Sequence, residues 1–254
     1  MITRDDSCPY LDDGAVAMDG GHIVGVGNTA ELRRTYADAR FVDARRRIIM
    51  PGLINAHMHF YSTLVRGLGK AKPSADFLEV LENLWWRLDR KLTLDDVEMS
   101  AQFILLDAIR KGTTTLVDHH ASPFAVTGSL DRIAKAVKAM GVRACLCYEV
   151  SDRDGEKIAA EGLEENAAFA LRCAAEMDPR LRALFGLHAA FTLSDRTLDR
   201  AAGLGRDLGI GFHVHVAEAR SDVAANLERH GLTPVARLQA HGILGRDSIA
   251  AHCV

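Results

Sequence analysis

The chain has 254 residues, is 48% hydrophobic and carries a formal net charge of -3. That supplies enough apolar material for a large core, near the size at which one α/β barrel fills a chain. The balance excludes the basic footprint of a nucleic-acid or anionic-membrane surface. No run approaches the ~18 apolar residues of a membrane span, and the N-terminus has no signal-peptide core. Five cysteines make an odd number with no Cys-x-x-Cys pair. A disulfide framework or thiolate zinc site is therefore not expected, and a reducing cytoplasm fits.

In chain order, apolar runs at 15–18 and 22–26 flank Asp19, Gly20 and Gly21, which predicts a β-hairpin with a glycine turn. Strand-like pieces follow near Phe41-Val42 and Ile48-Ile49, and Arg45, Arg46 and Arg47 read as a solvated turn. Residues 1–50 are thus expected to form a small, partial β-domain. From Pro51 the texture changes to short apolar strands alternating with helices. Thr93 is the expected N-cap of a helix closed by Gly112. Ser129 to Gly141 repeats that arrangement, and Ser194 caps a helix running to Gly209. Strands are predicted at 53–59, 113–118, 142–149, 182–188, 211–216 and 248–253. The long gap before the second strand, with Trp85 and Trp86, reads as a helical excursion over a barrel mouth. Strand–helix alternation predicts a parallel sheet, and residues 51–254 are expected to be a (β/α)8 TIM-type barrel, here incomplete with about six strands.

Histidine is the unusual residue. Eight of eleven (His57, His59, His119, His120, His188, His213, His215 and His252) fall at C-terminal strand ends, where barrel active sites lie. Residues two apart share a strand face. Leu53, Asn55, His57 and His59 therefore share one, opposite Ile54, Ala56, Met58 and Phe60. His213 and His215 oppose Phe212, Val214 and Val216, while His252 opposes Cys253, which is expected in the core. Imidazoles delivered to one rim by several strands are the donor set of a zinc- or iron-type site. Spacing alone does not choose between His213 and His215.

The run Met50-Pro51-Gly52-Leu53-Ile54-Asn55-Ala56-His57-Met58-His59 resembles the amidohydrolase superfamily, in its chlorohydrolase/deaminase branch. His188 within Gly-Leu-His-Ala-Ala-Phe-Thr, His215-Val216-Ala217-Glu218 and Ala251-His252-Cys253 follow in the family's order. The loop from Leu146 to Gly155 looks closest to SsnA-type aminohydrolases. The resemblance implies His57, His59 and His215 as metal ligands, with zinc as the ion and iron as the alternative. It makes Glu218 the proton shuttle, puts His252 against the attacking hydroxide or the polarised substrate atom, and puts His188 on the substrate. His213 is left a structural role, and Asp118, His119 and His120 a hydrogen-bonding role behind the ligands. Arg66, Trp85 and Trp86 would line the substrate pocket, packing being the alternative for the tryptophans. Glu149, Asp152 and Arg153 would read polar groups of the substrate, surface exposure being the alternative. Cytoplasmic location and a homodimer of the complete protein are also implied.

A divalent metal lowers the pKa of bound water from 15.7 to about 7, so the implied reaction is attack of a metal-bound hydroxide on a carbon–nitrogen bond. The expected substrate is a small aminated nitrogen heterocycle. Dechlorination of a triazine-like ring and a non-catalytic metal-binding fragment are the alternatives. Binuclear relatives carry a bridging lysine at the fourth strand, where this chain has His188, so a single metal is expected. The family's late aspartate ligand would fall beyond Val254, as would two further βα units. The chain is accordingly read as a partial one, inactive by itself.

Overall fold

The computed structural model describes residues 1–65, 67 and 72–254. They divide into two compact units, Met1–Leu53 and Ile54–Val254. In the first unit, β1 (Gly14–Asp19) and β2 (His22–Asn28) pair antiparallel as the sequence indicates. Gly20 and Gly21 make the turn at φ 53° and 81°, the left-handed region that glycine enters without steric penalty. Helix α1 (Thr29–Thr35) follows, capped by the Asn28 side chain. The strands expected near Phe41 and Ile48 do not form. A strand needs a hydrogen-bonded neighbour; here the Ile49 carbonyl meets only the amide of Ile2, at 2.8 Å, and Phe41, Val42 and Ile48 are exposed. Arg45 and Arg46 lie in an exposed turn, as anticipated.

The second unit is α/β with parallel pairing. Its elements are β3 (Leu53–Met58), α2 (Phe77–Val80), α3 (Trp86–Asp89), α4 (Leu94–Arg110), β4 (Thr113–His120), α5 (Ser129–Met140) and β5 (Arg143–Tyr148). There follow α6 (Glu156–Glu176), β6 (Leu181–Ala183), β7 (Phe185–Ala189), α7 (Asp195–Leu208), β8 (Phe212–Val216), α8 (Arg220–His230), α9 (Pro234–Ala240) and β9 (Ile249–His252). Strand order is β3-β4-β5-β6 in one sheet and β7-β8-β9 in the other, and pairs β4–β5, β5–β6, β7–β8 and β8–β9 are parallel. The fourth expected strand is therefore split at Leu184. Asn166 of α6 bridges the split: its side chain takes the Tyr148 amide at 2.8 Å and the Gly186 amide at 3.3 Å, and donates to the Tyr148 carbonyl at 2.8 Å. A Val150–Leu187 bridge links the two sheets.

Alternation separates the two strand faces. Leu116, Leu146, Phe185, Leu187 and Val214 face the helices and are fully buried. His119, Cys147, Glu149, His188, His213 and His215 occupy the other face, toward the barrel interior. Asp118 and His120 belong to the helix side, so only one of the two adjacent histidines ends up with the rest.

The caps mostly follow local sequence. Thr93 and Asp96 form a capping box on α4, and Ser194 caps α7. Ser129, however, is inside α5 rather than capping it. The cap position is Gly128, at φ 83°, and the Glu165 carboxylate accepts from the amides of Gly128 and Leu130 at 2.9 and 3.0 Å. A carboxylate from another helix does the work expected of a local serine. Cys253 is exposed, not core, because His252 and Cys253 adopt φ 73° and 56° and end the alternation.

Backbone approach sets a sharp requirement at Gly186, where an added Cβ would lie 2.2 Å from the Tyr148 carbonyl oxygen. Gly186→Ala should lower unfolding free energy by about 3 kcal/mol, an overpacking penalty. Gly203→Ala, mid-helix in α7 with open space around it, should raise it by up to ~1 kcal/mol. Denaturant midpoints check both, and an indifferent Gly186→Ala would contradict this strand packing.

Candidate functional site

The inner strand ends bring the histidines into one cluster. Ring centroids lie 5.0 Å apart for His57–His59, 5.1 Å for His57–His215 and 5.3 Å for His59–His215. His252 lies 5.1 Å from His57 and 5.3 Å from His215, and His188 lies 5.5 Å from His215. The three residues that sequence points to as ligands are thus adjacent. Donor atoms fall within 4.8 Å of one another in three described groups: His57, His215 and His252; His59, His119, Glu149 and His215; and His119, Cys147 and His213. His57, His59 and His215 together are not one of these groups, but each of the first two contains two of them and His215 is common to both.

Hydrogen bonds fix how the rings present themselves. His57 Nδ1 meets His213 Nε2 at 2.8 Å, which leaves His57 Nε2 toward the cluster. His213 is fully buried, with Cys147 Sγ 3.7 Å from its other nitrogen. The Nδ1 of His59 donates to the His119 carbonyl at 2.6 Å. The Nδ1 of His215 is buried with no hydrogen-bond partner, the arrangement of a nitrogen free to act as a ligand. Imidazoles must be neutral to ligate. Burial, followed by the neighbouring His119, lowers the pKa of His57 to about 3 and that of His59 to about 4; the same causes push His215 well below the ordinary value. This donor set suits zinc or iron.

Glu218 follows β8, its side chain partly exposed and its Oε1 3.6 Å from His252 Nε2. Burial, then the charges of Glu149 and Asp222, raises its carboxyl to about 7. Ala217 before it has φ 49°, strained for a residue other than glycine, so the turn that projects Glu218 is held against local preference.

Glu149 is buried rather than exposed. Its Oε2 is 3.1 Å from His119 Nδ1 and its Oε1 is 3.7 Å from His188 Nε2. Burial alone would raise its carboxyl, but His188, His119 and Arg153 outweigh that and hold it low. His188 is oriented by the Thr192 hydroxyl, 2.7 Å from its Nδ1. Sequence reasoning missed Thr192, and the signal was there, four residues past the strand-end histidine. Arg153 is ion-paired with Asp89 and Asp154 and packs over Trp86, 5.2 Å from the ring centroid. Asp152 takes the Ser194 amide at 2.6 Å and the Thr197 hydroxyl at 2.8 Å, a bracing role on α7. Trp86 comes within 6.3 Å of the His188 ring. A cavity of about 400 Å³ lies beside it, lined by Trp86, Arg153, Phe191, Thr192, Asp222 and Arg229 among others. Arg66 lies outside the described residues.

Behind the cluster, Asp118 Oδ1 accepts the Phe60 amide at 2.7 Å, fixing the chain just past His59. His120 turns instead to Ser122, 2.8 Å away. Burial raises the Asp118 carboxyl to about 8, against the pull of the Phe60 and His119 amides.

This chain belongs to the amidohydrolase family, whose model matches residues 48–254. Residues 14–39 match an imidazolonepropionase-like composite domain of bacteria. The chain is 33% identical over 255 residues to a 5'-deoxyadenosine deaminase of Methanosarcina barkeri, covering 100% of this chain and 56% of that protein. It is 32% identical over 244 residues to a 5-methylthioadenosine/S-adenosylhomocysteine deaminase of Desulforudis audaxviator, covering 95% and 53%. Among solved structures it is similar to an adenosine deaminase from Xanthomonas campestris with bound zinc (TM-score 0.77, 27% identity, 94% of this chain and 53% of that one). It is also similar to atrazine chlorohydrolase from Arthrobacter aurescens complexed with zinc (TM-score 0.79, 25% identity, 100% and 59%). The chain thus spans about half the length of the curated relatives it matches. No helix among the described residues is long and apolar enough to cross a membrane.

The Asp118 carboxyl makes stability depend on pH. Unfolded, it ionises near 3.8; folded, it keeps its proton to about 8. At this group the unfolded state therefore binds fewer protons between those values, and the group's contribution to stability falls as pH rises. Between pH 7 and 8 the share of this carboxyl in that change should be about 1 kcal/mol, opposed by the histidines that fold neutral. Asp118→Asn retains an acceptor for Phe60 and should remove that share, read as the difference between the slopes of the two proteins. Equal slopes in denaturant titrations of both proteins would contradict the assignment.

Proposed function

We propose that this chain carries the metal-holding and proton-transfer residues of an aminohydrolase. Water is added at a ring carbon of an aminated nitrogen heterocycle, the carbon–nitrogen bond breaks, and ammonia leaves. The observation that carries this reading is Glu218 standing 3.6 Å from His252, whose ring lies 5.1 Å from that of His57 and 5.3 Å from that of His215. The substrate we propose is a nucleoside with an adenine-type base, in keeping with the relatives' names. Dechlorination has the likeness to the triazine enzyme in its favour, while the relatives by sequence favour deamination.

His57, His59 and His215 hold the ion in this proposal, and zinc is the ion favoured by their nitrogen donors and by the solved relatives. A bound divalent ion supplies acidification of water at neutral pH. Glu218, with a carboxyl near 7, accepts the water's proton and returns it to the departing nitrogen. His252 hydrogen-bonds the oxygen that adds to the ring carbon, where charge develops. His188, fixed by Thr192, bonds the heterocycle, and the adjoining cavity beside Trp86 takes the rest of the nucleoside. The free cysteines support a cytoplasmic setting.

In the complete protein, Glu218→Gln should retain zinc while turnover falls by ~10²–10⁴. Ammonia release from adenosine analogues, read beside metal content, checks this. A much smaller fall with normal zinc would remove Glu218 from the chemistry. His57→Ala with His59→Ala should abolish zinc binding, whereas His213→Ala should keep most of it.

A further inference from the structure

The buried carboxylate of Glu149 sits in surroundings that hydrogen bonding among neutral groups does not satisfy. The Nε2 of His119 lies 3.1 Å from the carbonyl oxygens of both Leu187 and His213. Carbonyls only accept, so the hydrogen is on Nε2 and a neutral His119 presents a bare Nδ1. That Nδ1 faces Glu149 Oε2 at 3.1 Å. On the other side, the Thr192 hydroxyl donates to the Ala189 carbonyl at 3.0 Å and so accepts from His188 Nδ1. A neutral His188 then presents a bare Nε2 toward Glu149 Oε1, 3.7 Å away. Lone pairs facing a carboxylate in a dry interior repel, and a cation between them reverses the sign.

Two kinds of cation satisfy this: a proton on His119 or His188, or a metal ion. The proton leaves His215 Nδ1 buried and unpartnered, and a ring nitrogen of His215 lies within 4.8 Å of the donor atoms of His59, His119 and Glu149. His59 adds a further bare nitrogen, since its Nδ1 donates to the His119 carbonyl and leaves Nε2 free. Ligating histidines commonly give their other N–H to a backbone carbonyl, as His59 and His119 do here. Donor atoms of His59, His119, Glu149 and His215 all lie within 4.8 Å of one another.

We infer that the barrel mouth holds a second divalent-ion position, formed by His59, His119, Glu149 and His215, in which Glu149 is the anionic ligand. It rests on the proposed function only in taking the strand-end imidazoles as metal donors. Because it shares His59 and His215 with the set assigned to chemistry, the two positions exclude each other. Occupancy of this more buried one leaves Glu218 and His252 without the ion they serve, so it is a silent position.

The test uses the full 254-residue chain, stripped of metal and titrated with cobalt(II), with visible absorption and chelator competition as readouts. His57→Ala, Glu149→Gln and the double variant are compared, after thermal melts of the metal-free proteins establish that each folds. His57→Asn replaces the alanine variant if that one does not melt cooperatively. His57→Ala should still take up about one equivalent, and adding Glu149→Gln should weaken it by tenfold or more. Glu149→Gln alone should keep its ion through His57. Loss of all binding in His57→Ala, with the parent chain binding normally, would overturn the second position and leave the chemical set standing. Parent-like binding in the double variant would also overturn it, making His119 and Glu149 an ion pair. Loss in Glu149→Gln with retention in His57→Ala would support the second position and remove His57 as a ligand. A parent chain that binds no cobalt would overturn both.

Discussion

Seven imidazoles share the strand ends, with neighbouring centroids from 4.5 Å for His119–His215 to 5.9 Å for His57–His119. Such a cluster, largely closed to water, tolerates very little positive charge. The rings must be mostly neutral, and each neutral ring carries a hydrogen on one nitrogen and a lone pair on the other. That constraint governs the site. Carbonyl oxygens of the strands themselves, at His119, Leu187 and His213, choose the tautomers of His59 and His119. The strands therefore carry the proposed metal donors and also set which nitrogen of His59 and His119 is left bare.

Support from the helix side keeps this arrangement in register. Asn166 ties β5 to β7 where the sheet divides, and Asp118 anchors the chain immediately after His59. Arg237 of α9 is fully buried, with its guanidinium on the carbonyls of Ala190 and Leu193 and on Asp195. Those carbonyls flank Thr192, which orients His188. A buried arginine satisfied by several acceptors is a rigid brace, since removing any one partner leaves charge uncompensated. The orientation of His188 thus depends on a residue distant in sequence.

Much of this was legible from local pattern. Strand-end histidines, period-two alternation and the caps at Thr93 and Ser194 depend on short-range rules, and the structure follows them. What was illegible depends on partners distant in sequence. Glu165 replaces Ser129 as the cap of α5 through a contact between helices. The expected strands at Phe41 and Ile48 lack a pairing neighbour among the described residues. His119 and His120 are adjacent, and only the assignment of faces separates the one that joins the cluster from the one that meets Ser122. Glu149 read equally well as a surface group. Its burial between His119 and His188 follows from β5 and β7 standing side by side, which no single segment reveals.

The central claim is that histidine nitrogens from different strands hold one ion. X-ray absorption at the zinc edge of the zinc-loaded chain tests it most directly. The account requires a first shell of nitrogen and oxygen at about 2.0–2.1 Å, with the outer-shell scattering of at least two imidazoles. A sulfur shell near ~2.3 Å would place the ion on cysteine instead, and a shell of oxygen without imidazole scattering would mean that the histidine cluster does not bind it.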